Sequence, residues 1–134
     1  MGMDLTGPAG YFRWDFFRWH RLLSVAERYG WEPAGTVIAE EEAQQSDWNG
    51  SYWSNDFQTV TAADAEQLGA ALERALSDIS DADELAHHRG ADGSLRLTRS
   101  IIMEDDIKWL SGPDCKNHIR EFIQYCRGGG FTIG

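Results

Sequence analysis

Cys115 and His118 stand three residues apart in a segment that reads as a helix, a spacing that places two side chains together and lets them share a metal ion. Zinc requires two further ligands, and the chain offers no matching Cys or His pair. Cys115 is then a core thiol, small and apolar in behaviour. His87 and His88 lie beside Asp81, Asp83 and Glu84, a grouping that suggests acid/base work or a divalent-ion site. Adjacent helical residues point about 100° apart, so the two imidazoles do not cooperate easily. The acidic residues also lack the glycine and terminal glutamate of a calcium loop. The expectation is neither metal nor cofactor.

Nucleophilic catalysis needs a Ser, Cys or Thr beside a base, yet no Gly-x-Ser-x-Gly elbow and no cysteine-protease signature occurs. Gly128 to Gly130 follow a helix instead of opening one and lack a Lys-Ser/Thr ending, so they stop a helix and do not cradle phosphate. With 22 acidic residues in the chain, chance explains the proximity of any two carboxylates. The balance leans away from an enzyme. Asn55-Asp56, after Tyr52-Trp53-Ser54, present an amide and a carboxylate to a ligand or simply make a turn. Arg18, Arg21 and Arg28 read either as an anion-binding or partner-binding stripe or as a solvated helix face.

The net charge of −10 is unevenly placed. Residues 1–30 and 93–134 each carry +1, whereas residues 31–92 hold fourteen acidic residues against Arg74 and Arg89 and carry −12. Such a surface repels phosphate backbones, which disfavours nucleic acid, and attracts a basic protein, because opposite fields raise the encounter rate. Eight of the sixteen aromatic residues fall between Tyr11 and Trp31. One helix face cannot bury them all, so some of these, or Trp48, Tyr52, Trp53 and Phe57, are expected at the surface as partner anchors.

The elements that position these groups follow from periodicity and punctuation. Met1 to Gly10 is small and Gly/Pro-bearing and reads as a flexible arm. Asp15 to Tyr29 reads as a helix with Phe16, Trp19, Leu23 and Ala26 on one face and Gly30 as its stop. Thr36-Val37-Ile38 suggests a short strand, and the segment from Glu40 to Asp47 a surface loop. Asn49-Gly50 marks a turn before a short β-segment through Tyr52, Trp53, Phe57 and Val60. Thr61 with Asp64 resembles a capping box, and Ala65, Leu68, Leu72, Ala75, Leu76 and Ile79 continue as a buried helical stripe. Gly69, Ala70 and Ala71 allow a neighbour to approach closely.

Asp81 to Arg89 suggests one short helix. Leu95, Leu97, Ile101 and Met103 alternate as a strand does, followed by a short helix over Asp105 to Leu110. Pro113 suits the first position of a last helix, with Cys115, Ile119, Phe122 and Cys126 on one face. The two cysteines, eleven apart on that helix, are separated by about 16 Å and should be free thiols. Phe131-Thr132-Ile133 suits an edge strand. These readings give a single compact α+β domain over 1–134, with three main helices and a few short strands.

Gly10 to Trp14, Ala26 to Trp31, Ser54-Asn55-Asp56 leading into Val60 to Ala65, and Tyr125 to Phe131 together resemble small acidic bacterial cytosolic proteins with no assigned activity. The resemblance covers most of the chain and implies a bacterial, cytoplasmic origin. No apolar stretch approaches the roughly 20 residues that cross a bilayer, so no membrane partner is expected. The expected function is a small acidic protein-binding module, of the immunity or antitoxin kind, that inhibits a basic partner through Glu40, Glu41, Glu42, Asp47, Trp48, Tyr52, Trp53 and Asp56. Two alternatives stay open: a small-molecule-binding or enzymatic domain using Tyr52 to Asp56, and a self-associating subunit, which would make the chain a homo-oligomer.

Overall fold

Residues 2–10, expected as an arm, form the first strand and turn of a hairpin that runs to Asp15. In the computed structural model, which describes residues 2–38, 49–95 and 98–134, β1 (Gly2–Gly7) pairs antiparallel with β2 (Gly10–Asp15). Gly7 lies opposite Gly10 across the two-residue turn Pro8-Ala9, and Gly10 takes φ +104° there, which only glycine adopts cheaply. Met3 and Leu5 face inward while Asp4 and Thr6 face outward, the period of two that a half-buried strand requires.

Four short strands form one antiparallel sheet in the order β2-β1-β4-β3, with β3 spanning Gln58–Val60 and β4 spanning Phe131–Ile133. The tail expected at an edge therefore sits inside the sheet, between β1 and β3. Gly130 permits this closeness, since a Cβ there would lie 2.4 Å from the Val60 carbonyl oxygen. Val37 makes an isolated bridge to Thr59 on the far side of β3, so the expected strand at 36–38 is reduced to one pair.

Three long helices cover the inner face of the sheet. α1 (Phe16–Arg28) is capped by Asp15, whose carboxylate accepts from the Arg18 amide, and Gly30 ends it with φ +101°. α2 (Ala62–Ala75) is capped by Thr61 accepting from the Asp64 amide. The stripe expected to run on to Ile79 changes at Leu76 into a 3₁₀ turn, Leu76–Asp78. Further on, α3 (Arg99–Ile102) and α4 (Asp106–Trp109) are single turns, and α5 (Pro113–Arg127) is the last helix.

α2 packs most extensively on α5, and Gly69 makes the contact close: a Cβ there would stand 3.1 Å from Cys126 Cβ. Phe122 on α5 then meets Phe12, Trp14, Trp19, Tyr125 and Phe131, joining helix layer to sheet. Tilted and edge-on arrangements dominate these pairs, as ring quadrupoles favour. Both cysteines are free thiols.

The region from 80 to 110 departs most from the sequence reading. Among its described residues there is no strand over 98–103: Thr98 caps α3 by accepting from the Ile101 amide, and Leu95 makes only a bridge to Arg89. Asp81 to Arg89 contributes a 3₁₀ turn at Ala86–His88 in place of a helix. The expected helix near 105–110 is present as α4. Leu85, Ile101 and Trp109 form a small second core, packed against Phe17 and Leu95, and this cluster anchors the region to α1.

Candidate functional site

The segment Ser51 to Phe57 divides into a buried half and an exposed half. Tyr52, expected as a partner anchor, is only 6% exposed. Its hydroxyl donates to Asp64 Oδ2 and accepts from the Gly35 amide at 2.8 Å. The other Asp64 oxygen accepts from Trp31 Nε1 at 3.0 Å and from the Ala34 amide at 3.3 Å. Burial first, and the Asp64 carboxylate second, hold the Tyr52 phenol well above the usual tyrosine range. Tyr52 therefore cannot touch a partner; it closes a buried polar knot that ties the 31–36 loop to the start of α2.

Gln58 organises the exposed half. Fully buried, it donates from Nε2 to the Ser51 and Ser54 carbonyls at 3.1 and 2.5 Å and accepts from the Asp56 amide at 2.9 Å. A single buried amide thus fixes the whole turn, as its donors and acceptors must all be matched. Trp53 leaves this turn 42% exposed, with its ring 3.8 Å from that of His20 on α1. Phe57 is 75% exposed at φ +59°, a left-handed conformation that costs a bulky residue energy. Val37, across β3, is exposed as well. Asp56 is at the surface beside them, while Glu40, Glu41, Glu42, Asp47 and Trp48 lie outside the described residues.

The basic side chains are largely engaged within the fold. Arg21 bonds Asp106 at 3.1 Å and the Ile102 carbonyl at 2.9 Å while lying over the Trp109 ring, 5.1 Å from its centroid. Arg28 reaches Asp105 and Asp106 at 3.3 and 2.9 Å. Arg18 bonds Asp15 and the Trp109 carbonyl. The arginine stripe of α1 is thus a brace for α3 and α4, neither a solvated face nor a free anion site. Lys116 pairs with Asp81, Arg89 with Asp83, and Arg127 with Glu73. Among the described residues, exposed Glu27, Glu32, Asp56 and Glu66 make no such pair.

A cleft of about 400 Å³ opens at the start of α5, lined by Trp14, Arg18, Asp83, Arg89, Cys115 and His118 among others. Its arginines are already paired, and His118 Nε2 donates to the Arg13 carbonyl at 2.7 Å. Burial pushes the Cys115 thiol up to about 11, against the opposing pull of Arg18. The sulfur is a neutral thiol near pH 7 and a poor nucleophile. The cleft can receive a small molecule but lacks an activated attacking group.

No family model, curated protein or solved structure matches the chain. No helix among the described residues is long and apolar enough to cross a membrane. Trp53 and Phe57, expected at the surface from the aromatic surplus, are exposed, whereas the sequence reading missed Gln58 and undervalued Asp64. A glutamine beginning a strand carries no signal of burial. Asp64 had one, its place at the third position of a capped helix, but the cap explains its amide and not its carboxylate.

Proposed function

We propose that the chain is an acidic protein-binding module that docks on a basic surface of a partner protein. The observation that carries this reading is the exposure of three large apolar side chains, Val37, Trp53 and Phe57, together with the exposed carboxylates Glu27, Glu32, Asp56 and Glu66, which pair with no cation among the described residues. Aromatic anchors supply contact area at low entropic cost, and unpaired surface charge supplies steering. Inhibitors of the immunity and antitoxin type combine these two features, an analogy of physical plan. The aligned strain at Phe57 supports the same surface, since a left-handed phenylalanine is retained where something other than folding benefits from it.

The cleft at α5 supports a second reading, a small-molecule site. Within the segment Tyr52 to Asp56, Tyr52 is buried and bonded to Asp64, while Trp53, Asn55 and Asp56 are exposed.

The test measures association between the full chain and the product of the neighbouring gene. The on-rate should fall steeply as salt rises, and replacing Glu40, Glu41 and Glu42 together by Gln should slow it with the fold intact. Salt-independent association would remove the steering argument. Elution as an oligomer at all concentrations would point instead to self-association through the same apolar group.

A further inference from the structure

His87 and His88 occupy successive positions of the 3₁₀ turn Ala86–His88, yet their rings lie together, centroids 3.9 Å apart and planes tilted by 44°. The angular objection raised from helical geometry therefore fails here. A third group arrives from another element: Glu104, just beyond α3, places Oε1 3.3 Å from His88 Nε2. One ligand atom from each of the three residues falls within 4.8 Å of the other two.

We propose that His87, His88 and Glu104 bind one divalent d-block cation of the zinc type. Two imidazoles and one carboxylate are a donor set that suits such ions and leaves coordination positions open. Ligand bonds of about 2.0 to 2.1 Å would set donors about 3.3 Å apart in a tetrahedron, the separation His88 and Glu104 already have, so His87 must close the remaining distance of at most about 1.5 Å. His87 is exposed and free to make that adjustment. The backbones on both sides are fixed, because Leu85 and Ile101 belong to the same small core. Arg89 further locks the turn through Asp83 and the Gly93 carbonyl.

In the metal-free protein His88 Nε2 and Glu104 Oε1 meet directly, and the cation would bind between them in place of that contact. Lys108 holds the other Glu104 oxygen at 3.3 Å, which leaves Oε1 as the ligand and orients the carboxylate from outside. A second cleft adjoins the group, lined by His87, His88, Gly90, Ala91 and Thr98. It gives water or a small anionic ligand access to the remaining positions.

The full chain, stripped with chelator, is titrated with Co²⁺ and followed by visible absorption, then challenged with Zn²⁺. The proposal expects bands that saturate at one Co²⁺ per chain, vanish on adding Zn²⁺ and persist in excess Mg²⁺. Glu104→Gln and His87→Ala should each weaken binding by about tenfold or more, since even outer-shell losses cost that much. His118→Ala should bind as the unaltered chain does. His88→Ala should abolish the bands; because His88 is packed in a turn, its folding is checked by circular dichroism, and the two exposed-side variants carry the test if it unfolds. Absence of bands at millimolar Co²⁺, indifference to both Glu104→Gln and His87→Ala, or a sulfur-to-cobalt band lost in His118→Ala would each overturn the assignment, the last by moving the ion to Cys115.

Discussion

Tyr52 donates a hydrogen bond from its hydroxyl to the carboxylate of Asp64, and the same carboxylate accepts from the indole of Trp31 and the amide of Ala34. Tyr52→Phe removes one of these donors and leaves the Gly35 amide without its acceptor. A loss of about 1 to 3 kcal/mol is expected, the cost of leaving a buried polar group unmatched. Asp64→Ala strands three donors and should cost more. Urea unfolding measures both, and a loss below about 0.5 kcal/mol in each would show the knot to be relaxed by water.

Phe57 sits left-handed at φ +59°. Phe57→Gly should hold or raise stability by about 1 kcal/mol, the steric penalty of that region being relieved. It should at the same time weaken partner association by removing an anchor. Thermal unfolding and binding read the two effects separately; a marked loss of stability would mean that the ring's contact with Gly134 outweighs its backbone strain.

Cys115 has its thiol pushed up to about 11 by burial. Alkylation by iodoacetamide near pH 8 should be far slower than for a free cysteine and should accelerate as pH rises towards 11. The raised value also favours the folded state: the contribution is present below the unfolded thiol's value of about 8.5 and is lost as pH climbs through the folded one. Cys115→Ser should flatten the alkaline decline in melting temperature between those limits. Rapid alkylation at pH 7 would place the sulfur in solvent.

His20 has its pKa held below the usual histidine value, first by burial and then by neighbouring Arg21. Its ring lies between Phe16 and Trp53 with a buried, unpartnered Nε2. The unfolded chain therefore takes up a proton that the folded chain refuses. Stability should be full above about pH 6.5 and fall as pH drops through the depressed folded value. His20→Gln should reduce that slope between pH 7 and 5, and an unchanged slope would assign the acid sensitivity elsewhere.

The three long helices were legible because each carries its own punctuation: Asp15 and Gly30, Thr61 with its stripe of Ala and Leu, and Pro113. The sheet was not. β3 and β4 have three residues each, too few for alternation to declare itself, and Pro8 and Gly10 made a hairpin look like a loose arm. Around 80 to 110, short turns are stabilised from outside by Arg21 and Arg28 on α1, and no local pattern records partners that lie about eighty positions away. At the candidate docking surface Trp53 and Phe57 were readable as aromatic surplus, whereas Val37 read only as a strand residue. The residues that aim them, Gln58 and Asp64, were hidden because polar side chains are rarely buried and burial of one is a tertiary fact.

β4 lies between β1 and β3, and β3 has no other strand neighbour among the described residues. During synthesis, β1, β2 and β3 leave the ribosome long before residues 131–133 do, so the sheet has to wait for its keystone. Until then the β1–β2 hairpin and β3 are unjoined pieces of the sheet, and a nascent chain in that state is open to chaperones and proteases. The sheet can close only once residues 131–133 are free of the ribosome and can reach both β1 and β3.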